Sequence, residues 1–319
     1  MEPISRLICP TLTDAQVDGL RSNGISTLMA FIIAPKETIC SAIEISEAEY
    51  SGIRHSILMC RRPHPITLRQ LSTLDKRRAI STGISSLDDI LNGGVFPGDI
   101  IEFYGNTGCG KTQLCLKLAA QFSHFNHDKA GVLYFDMKND FNARRLLNLC
   151  EGDESSLEKV RVFKEANLAR LWLRLDDIKN EVIGGINGYY SKCRLLVIDS
   201  VPMVVYPAVE QEIYSWRYHQ ERLIEKLRWL ADHLNLTVVL VNHSVKAWTN
   251  NNVVGTSTPK PVSSVKAAMG KYWQSKISIR IQLTKMNGSA NRYEGILEKC
   301  CRSAEGQKFG FSIEQTAIL

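Results

Sequence analysis

Gly105-Asn106-Thr107-Gly108-Cys109-Gly110-Lys111-Thr112 is the stretch on which the fold turns. It reads G-x-x-x-x-G-K-T, the spacing of a phosphate-binding loop. Glycines at these positions let backbone N–H groups turn inward on phosphates. Lys111 is placed to reach the β- and γ-phosphates, and the Thr112 hydroxyl is placed to hold Mg²⁺. The flanks agree with that reading. Asp99-Ile-Ile-Glu-Phe-Tyr104 before the loop is strand-like, and Leu114, Leu118 and Phe122 after it repeat at helical spacing. Strand, glycine loop and helix together aim a helix N-terminus at an anion. The expected ligand is therefore a nucleoside triphosphate with Mg²⁺, held by Gly105 to Thr112.

Working outward, the elements alternate. Strands are expected at Asp99–Tyr104, Val132–Phe135, Val160–Phe163, Leu195–Ile198 and Thr237–Val241. Helices are expected at Lys111–Phe125, Asn142–Cys150, Leu168–Ile183 and Ser215–Asn235. The last helix carries Leu223, Leu227, Leu230 and Leu234 on one stripe. This order predicts an α/β core with a mostly parallel sheet covered by helices. Lys276–Leu283, Glu294–Cys300 and Phe309–Ile313 read as antiparallel strands extending one side of it.

Ahead of the core, residues 1–60 read as a small helical domain. Thr13-Asp14 caps a first helix that Asn23-Gly24 closes, Ser26–Phe31 and Pro35–Ile43 follow, and Ser46 caps a fourth helix through Met59. The pattern is that of a helix-hairpin-helix-like bundle. Residues 61–79 form a basic linker, with Arg61, Arg62, Arg69, Lys76, Arg77 and Arg78 against Asp75 alone. It is either a solvated tether or an arm for DNA or a partner. The main domain is expected over 80–319.

Bulk properties narrow the class. In 319 residues, 44% are hydrophobic and 23% charged, which is ordinary for a globular protein. There is no long apolar run and no signal-peptide layout at the start, which predicts an intracellular protein without a membrane partner. The nine cysteines include no C-x-x-C pair, which argues against a disulfide framework or a zinc site. A net charge of +6 permits nucleic-acid binding without requiring it.

Three further stretches carry chemistry. Leu195-Leu-Val-Ile-Asp199-Ser200 is an apolar strand ending in an acid, and in a phosphate-loop protein that carboxylate holds Mg²⁺ beside Thr112. Val238-Val-Leu-Val-Asn242-His243 ends a second strand, where His243 either senses the γ-phosphate or is simply a strand-end histidine. The segment from Ser244 to Gln274 holds Lys246, Lys260, Lys266 and Lys271 with no acid, and Trp248, Tyr272 and Trp273 bracket its polar middle. Cations with aromatic platforms suit a loop that orders on single-stranded nucleic acid. A flexible surface loop is the alternative.

These motifs together resemble a RecA-type recombinase of the eukaryotic and archaeal, RadA-like branch, over nearly the whole chain. Ile80-Ser-Thr-Gly-Ile-Ser-Ser-Leu-Asp-Asp-Ile-Leu-Asn-Gly-Gly94 with Pro97-Gly98-Asp99 is similar to the start of that family's ATPase core. Gly105–Gln113, Leu195–Ser200 and Val241–His243 match its phosphate loop, Mg²⁺ strand and sensor strand. Within the family the chain looks most like the recombinase paralogues, nearest the D group, on Leu7-Ile-Cys-Pro-Thr-Leu-Thr13 and Met269-Gly-Lys-Tyr-Trp-Gln274. The resemblance implies a nuclear protein of homologous recombination. Its implied partners are other paralogues in a hetero-complex, the main recombinase filament, and single-stranded or forked DNA. Arg145 matches a family arginine that packs on the adenine, with a plain helix-surface arginine as the other reading.

Two departures from the family qualify this. Family recombinases carry Tyr-(apolar)-Asp-Thr-Glu after the phosphate-loop helix, and the Glu positions the attacking water. Here the run is Tyr134-Phe-Asp136-Met137-Lys138, so a cation stands at the Glu position. Such a loss typically costs ~10²–10⁴-fold in rate, and slow or negligible hydrolysis is expected unless Asp136 or Asp140 substitutes. The linker also lacks the family's Phe-x-x-Ala polymerisation motif. Phe31-Ile-Ile-Ala34 fits the letters but sits in the helical domain, where Phe31 is expected in the core. A full strand-exchange ATPase and a non-catalytic scaffold remain as rival readings to an ATP-binding accessory subunit.

Overall fold

A reciprocal capping box sets the chain's first helix. The Thr13 hydroxyl accepts from the Gln16 N–H at 3.2 Å, and the Gln16 side chain accepts from the Thr13 N–H at 2.9 Å. The computed structural model describes residues 4, 9, 11–60, 65, 67–125, 130–165, 167–183, 188–211, 216–246, 265–286 and 288–319. The chain divides into two units, Met1–Leu74 with Leu173–Lys192, and Asp75–Trp172 with Cys193–Leu319.

The first unit is helical: α1 (Asp14–Ser22), α2 (Leu28–Ile33), α3 (Lys36–Ile43) and α4 (Glu47–Cys60). Each start has a local cause. The Thr27 hydroxyl accepts from the Ala30 N–H at 3.1 Å, which delays the second helix to Leu28. Ser46 and Glu49 exchange backbone-to-side-chain bonds at 2.8 and 3.2 Å ahead of α4. Leu12, Leu20, Phe31, Ile39 and Ile57 form the core, and Phe31 is fully buried, as its place in the helical domain predicts. Residues 68–78 of the basic stretch form a helix, α5 (Leu68–Arg78), opened by Thr67 and Gln70 in another reciprocal cap.

In the second unit, α6 (Ser85–Ile90) leads into β1 (Ile100–Gly105), α7 (Lys111–Ala120), β2 (Gly131–Asp136) and α8 (Ala143–Leu149). The helix expected to run to Phe125 changes at Gln121 to one π-helical turn. Along the chain then come β3 (Val160–Phe163), α9 (Leu168–Ile183), whose residues from Leu173 on fall in the first unit, β4 (Cys193–Asp199), α10 (Val201–Gln211), α11 (Trp216–Leu234) and β5 (Thr237–Lys246). The chain ends with β6 (Val265–Ala267), α12 (Gly270–Lys276), β7 (Ile279–Lys285), β8 (Arg292–Lys299) and β9 (Lys308–Ser312). The strand order is β3-β2-β4-β5-β1-β7-β8-β9, with β6 paired to β5. Strands β1 and β2 are buried at every position, which is why their apolar residues do not alternate with polar ones.

Three features differ from the sequence reading. Helix α10 carries Pro207 inside it and several β-branched residues, so its propensity is poor, yet Val201, Val204 and Val205 are buried and fix it. Strand β7 pairs parallel to β1, and only β8 and β9 continue antiparallel. The ends of the 244–274 segment are regular: β5 runs on to Lys246, and Ser244 and Val245 pair with Ala267 and Lys266 of β6.

Candidate nucleotide-binding site

The loop's shape follows from where β1 ends. A Cβ on Gly105 would lie 2.2 Å from the Leu283 carbonyl oxygen and 2.7 Å from the Cys109 Sγ, so only glycine fits between β7 and the loop. Gly110 has φ 89°, a left-handed residue that turns the chain into α7, whose first residue is Lys111. The Lys111 ammonium is buried and donates to the Gly105 and Asn106 carbonyls at 2.8 and 2.7 Å. These bonds hold the lysine across the loop that its own helix closes.

Across from Thr112 stands Asp199, at the tip of β4. The Thr112 hydroxyl donates to Asp199 Oδ2 at 2.5 Å, and the Tyr134 hydroxyl donates to the same oxygen at 3.4 Å. Asp199 Oδ1 accepts from the Lys138 Nζ at 2.8 Å, in an ion pair whose side chains are 19% and 2% exposed. Register explains the meeting. Asp136 of β2 lies directly beside Asp199 of β4, so Lys138, two residues on, emerges next to that carboxylate. Burial, with the Asp199 charge adding to it, pushes the Tyr134 phenol well above its usual range, and it stays a neutral donor.

Asp136 itself is committed elsewhere. Its two oxygens accept from the backbone N–H groups of Lys138, Asp140 and Phe141 at 3.2, 3.1 and 3.0 Å. It ties the turn between β2 and α8 together and is buried, so it is not a free base for water. Asp140 lines the cavity and is the remaining acid of that pair.

His243, three residues before the end of β5, meets the Ser200 hydroxyl through Nε2 at 3.0 Å. Burial, then the Lys138 and Lys111 charges, lower its pKa, so the ring is neutral at pH 7. The neighbouring Ser244 hydroxyl donates to the Asn106 side-chain oxygen, joining the strand to the phosphate loop. On α8, Arg145 donates from Nε to Gln113 Oε1 at 2.8 Å and from Nη2 to the Ala317 carbonyl at 3.4 Å. It also donates from Nη1 to the Gln315 carbonyl. This arginine is more than a helix-surface residue, since it anchors the C-terminal stretch to α7.

Thr107, Gly108, Gly110, Lys111, Thr112, Arg145 and His243 all line one cavity of about 930 Å³. Gly105, Asn106 and Cys109 shape the loop from behind. The cavity also takes in Met203, Asn291, Tyr293, Ile313 and Glu314, which sequence reasoning missed. No local motif marks them. Only the parallel placement of β7 beside β1 carries the C-terminal strands to the mouth of the loop.

The residues singled out for DNA divide differently. Lys266, within β6, and Lys271, at the start of α12, are exposed. Trp248 and Lys260 lie outside the described residues, and Lys246 is described only as the last residue of β5. Trp273 is not a platform for a base. It is fully buried and donates from Nε1 to Glu102 Oε1 at 2.7 Å. Asn242 reaches the same Glu102 oxygen at 2.7 Å, and Arg280 Nε meets the other at 2.7 Å. Tyr272 is held too, donating to Glu221 at 3.0 Å with Arg217 over its ring.

A phosphate loop opening a helix, an acid at the tip of a nearby parallel strand and a polar strand end between them define a RecA-like P-loop protein. The chain belongs to the Rad51 family, whose profile matches residues 75–318. It is 28% identical over 291 residues to the DNA repair protein RAD51 homolog 4 of Mus musculus, across 88% of this chain and 84% of that protein. It is 24% identical to RAD51 homolog 2 of Homo sapiens, across 85% and 78% of the two chains. Against the DNA repair protein RAD51 of Saccharomyces cerevisiae the identity is 27%, covering 82% and 66%. The crystal structure of the RadB recombinase shares the fold with a TM-score of 0.59 at 22% identity, over 75% of this chain and 98% of that one. The family is one of homologous recombination and DNA repair, and its relatives here include RAD51 paralogues. Among the described residues no helix is long and apolar enough to cross a membrane.

Proposed function

We propose that this chain is an ATP-binding recombinase paralogue of the D group that holds its nucleotide far longer than it hydrolyses it. The observation that carries this is the pairing at the strand tips: Lys138 sits on Asp199 where family recombinases have a carboxylate for the attacking water. Lys138 cannot accept a proton from water, and Asp136 is spent on backbone amides. Apart from Asp140 in the cavity wall, what remains is machinery for binding. Gly105–Thr112 supply amides and an ammonium for phosphates, and His243 faces the same cavity as a neutral donor or acceptor. Asp199 and Thr112 bring two hard oxygens within 2.5 Å of each other, a donor pair that suits Mg²⁺. A metal held there would share Asp199 with the Lys138 ammonium. Arg145, Tyr293 and Ile313 line the same cavity and offer the base a mixed cationic and apolar surface.

In this reading the protein works in the nucleus within a hetero-complex of paralogues. It contacts single-stranded or forked DNA through Lys266, Lys271 and the segment containing Lys246, Trp248 and Lys260, and helps to load the main recombinase. Steady-state hydrolysis by the purified chain is expected at ~10²–10⁴-fold below that of a recombinase with the carboxylate, with or without DNA. DNA-stimulated turnover at full recombinase speed would overturn the reading. Binding of labelled single-stranded DNA is expected to weaken with salt, and Lys266→Ala with Lys271→Ala to flatten that slope by about one unit per lost phosphate contact. An unchanged slope would favour a scaffold whose DNA contact is incidental.

A further inference from the structure

The ion pair between Lys138 and Asp199 has a meaning beyond the loss of a base. Three observations fix it in place. Strands β2 and β4 are parallel neighbours with Asp136 beside Asp199. The Asp136 carboxylate binds the N–H groups of residues 138, 140 and 141, which sets the turn that aims Lys138. The ammonium then lies 2.8 Å from Asp199 Oδ1 while lining the same cavity as Lys111 and Thr112. A lysine there does electrostatically what a divalent cation does at such a carboxylate. It neutralises the acid, so that Asp199 no longer repels a phosphate, and it keeps N–H donors that the phosphate oxygens can use. A Mg²⁺ ion arriving at Asp199 would have to displace that ammonium or sit beside a like charge, so the ion adds less here than at an unpaired acid.

We propose that Lys138 supplies from within the chain the positive charge that Mg²⁺ supplies elsewhere, so that nucleoside triphosphate binding is nearly independent of divalent cation. The proposal rests on the nucleotide-binding reading of the same cavity. It makes Lys138 a binding residue in its own right, and it gives the Lys138 position a function that a merely neutral residue could not serve.

The test is equilibrium binding of a fluorescent ATP analogue to the full-length chain, in Mg²⁺ and in EDTA. The ratio of the two dissociation constants is the readout, because a general folding defect shifts both together. Coupling between two ligands commonly spans about 5–150-fold, so a ratio below about 3 in the wild type marks independence. Lys138→Met, which keeps the stem and loses the charge, should raise the ratio to about 10 or more, and Lys138→Arg should keep it low. Tight binding that collapses by ~10-fold on chelation in the wild type overturns the proposal and leaves the nucleotide site standing. Equal ratios in the wild type and Lys138→Met overturn it too, and if that variant does not fold the wild-type ratio decides alone. No binding in either buffer defeats the nucleotide site itself, and this inference with it.

Discussion

The phosphate-loop cavity and the buried cluster around Glu102 lie on the same strands, yet they are assembled in opposite ways. The loop is eight consecutive residues whose glycines, lysine and threonine bring their own geometry. The cluster joins Glu102, Asn242, Trp273 and Arg280 through three bonds of 2.7 Å, from residues up to 178 positions apart. The loop faces a cavity. The cluster faces nothing but protein, and a fully buried glutamate is tolerated because an arginine and two neutral donors satisfy it. The difference teaches that a cationic, aromatic-rich segment can be architecture at one end and exposed at the other. Trp273 and Lys271 are two residues apart, one in the core and one in solvent.

The largest expected effect breaks the cluster. Trp273→Ala leaves a cavity and leaves Glu102 Oε1 with Asn242 as its remaining donor, and Glu102→Ala strips Arg280 of a buried partner. Each should cost roughly 3–5 kcal/mol in denaturant unfolding. A loss below about 1 kcal/mol would show that the cluster is not a structural hub. Next comes the loop. Lys111→Ala removes a charge-assisted phosphate contact and should weaken nucleotide binding by ~10²-fold while partner binding in the absence of ATP is unchanged. Titrating partner with and without ATP separates assembly from catalysis, since the variant should forfeit the ATP-dependent part.

A smaller effect sharpens the contrast at the edge of the same unit. The Asp153 carboxyl is held well below the usual carboxylate range by the Ser155 and Ser156 hydroxyls, and by His124 at 3.0 Å. A depressed acid contributes stability that is complete above its unfolded value of about 3.9 and fades as pH falls through the lower folded value. Asp153→Asn should therefore lower the melting temperature at pH 7, and the gap to wild type should close as the pH drops below about 4. A gap that stays constant down to acid unfolding would remove the charge from the explanation. The smallest effect is on stability at Lys266 and Lys271. Both are exposed, and alanine there should change stability by no more than about 0.5 kcal/mol, so any DNA-binding defect can be read without a folding correction.

Much of the site was legible because its chemistry is local. The spacing from Gly105 to Thr112, the acid closing the apolar run at Asp199 and the polar end of β5 at His243 each need only neighbours in sequence. Helix caps at Thr13 and Ser46 were readable for the same reason, since a cap reaches three residues. Helix α10 was not, because Pro207 and its valines argue against a helix and only burial overrides them. The parallel sense of β7 was not, because alternation is the same in either direction. The fate of Trp273 was hidden too, since its partner Glu102 lies far away on β1.

The sequence by itself determined that this is a phosphate-loop protein of the Rad51 family and that the run after the phosphate-loop helix reads Asp136-Met137-Lys138. Those facts are written in contiguous letters. Only the tertiary structure decided what Lys138 touches, that Asp136 is consumed by the turn, and that the C-terminal strands complete the cavity wall. Each of those depends on which strands become neighbours and in what register. Strand pairing is settled by burial summed over the whole sheet rather than by any short stretch of it.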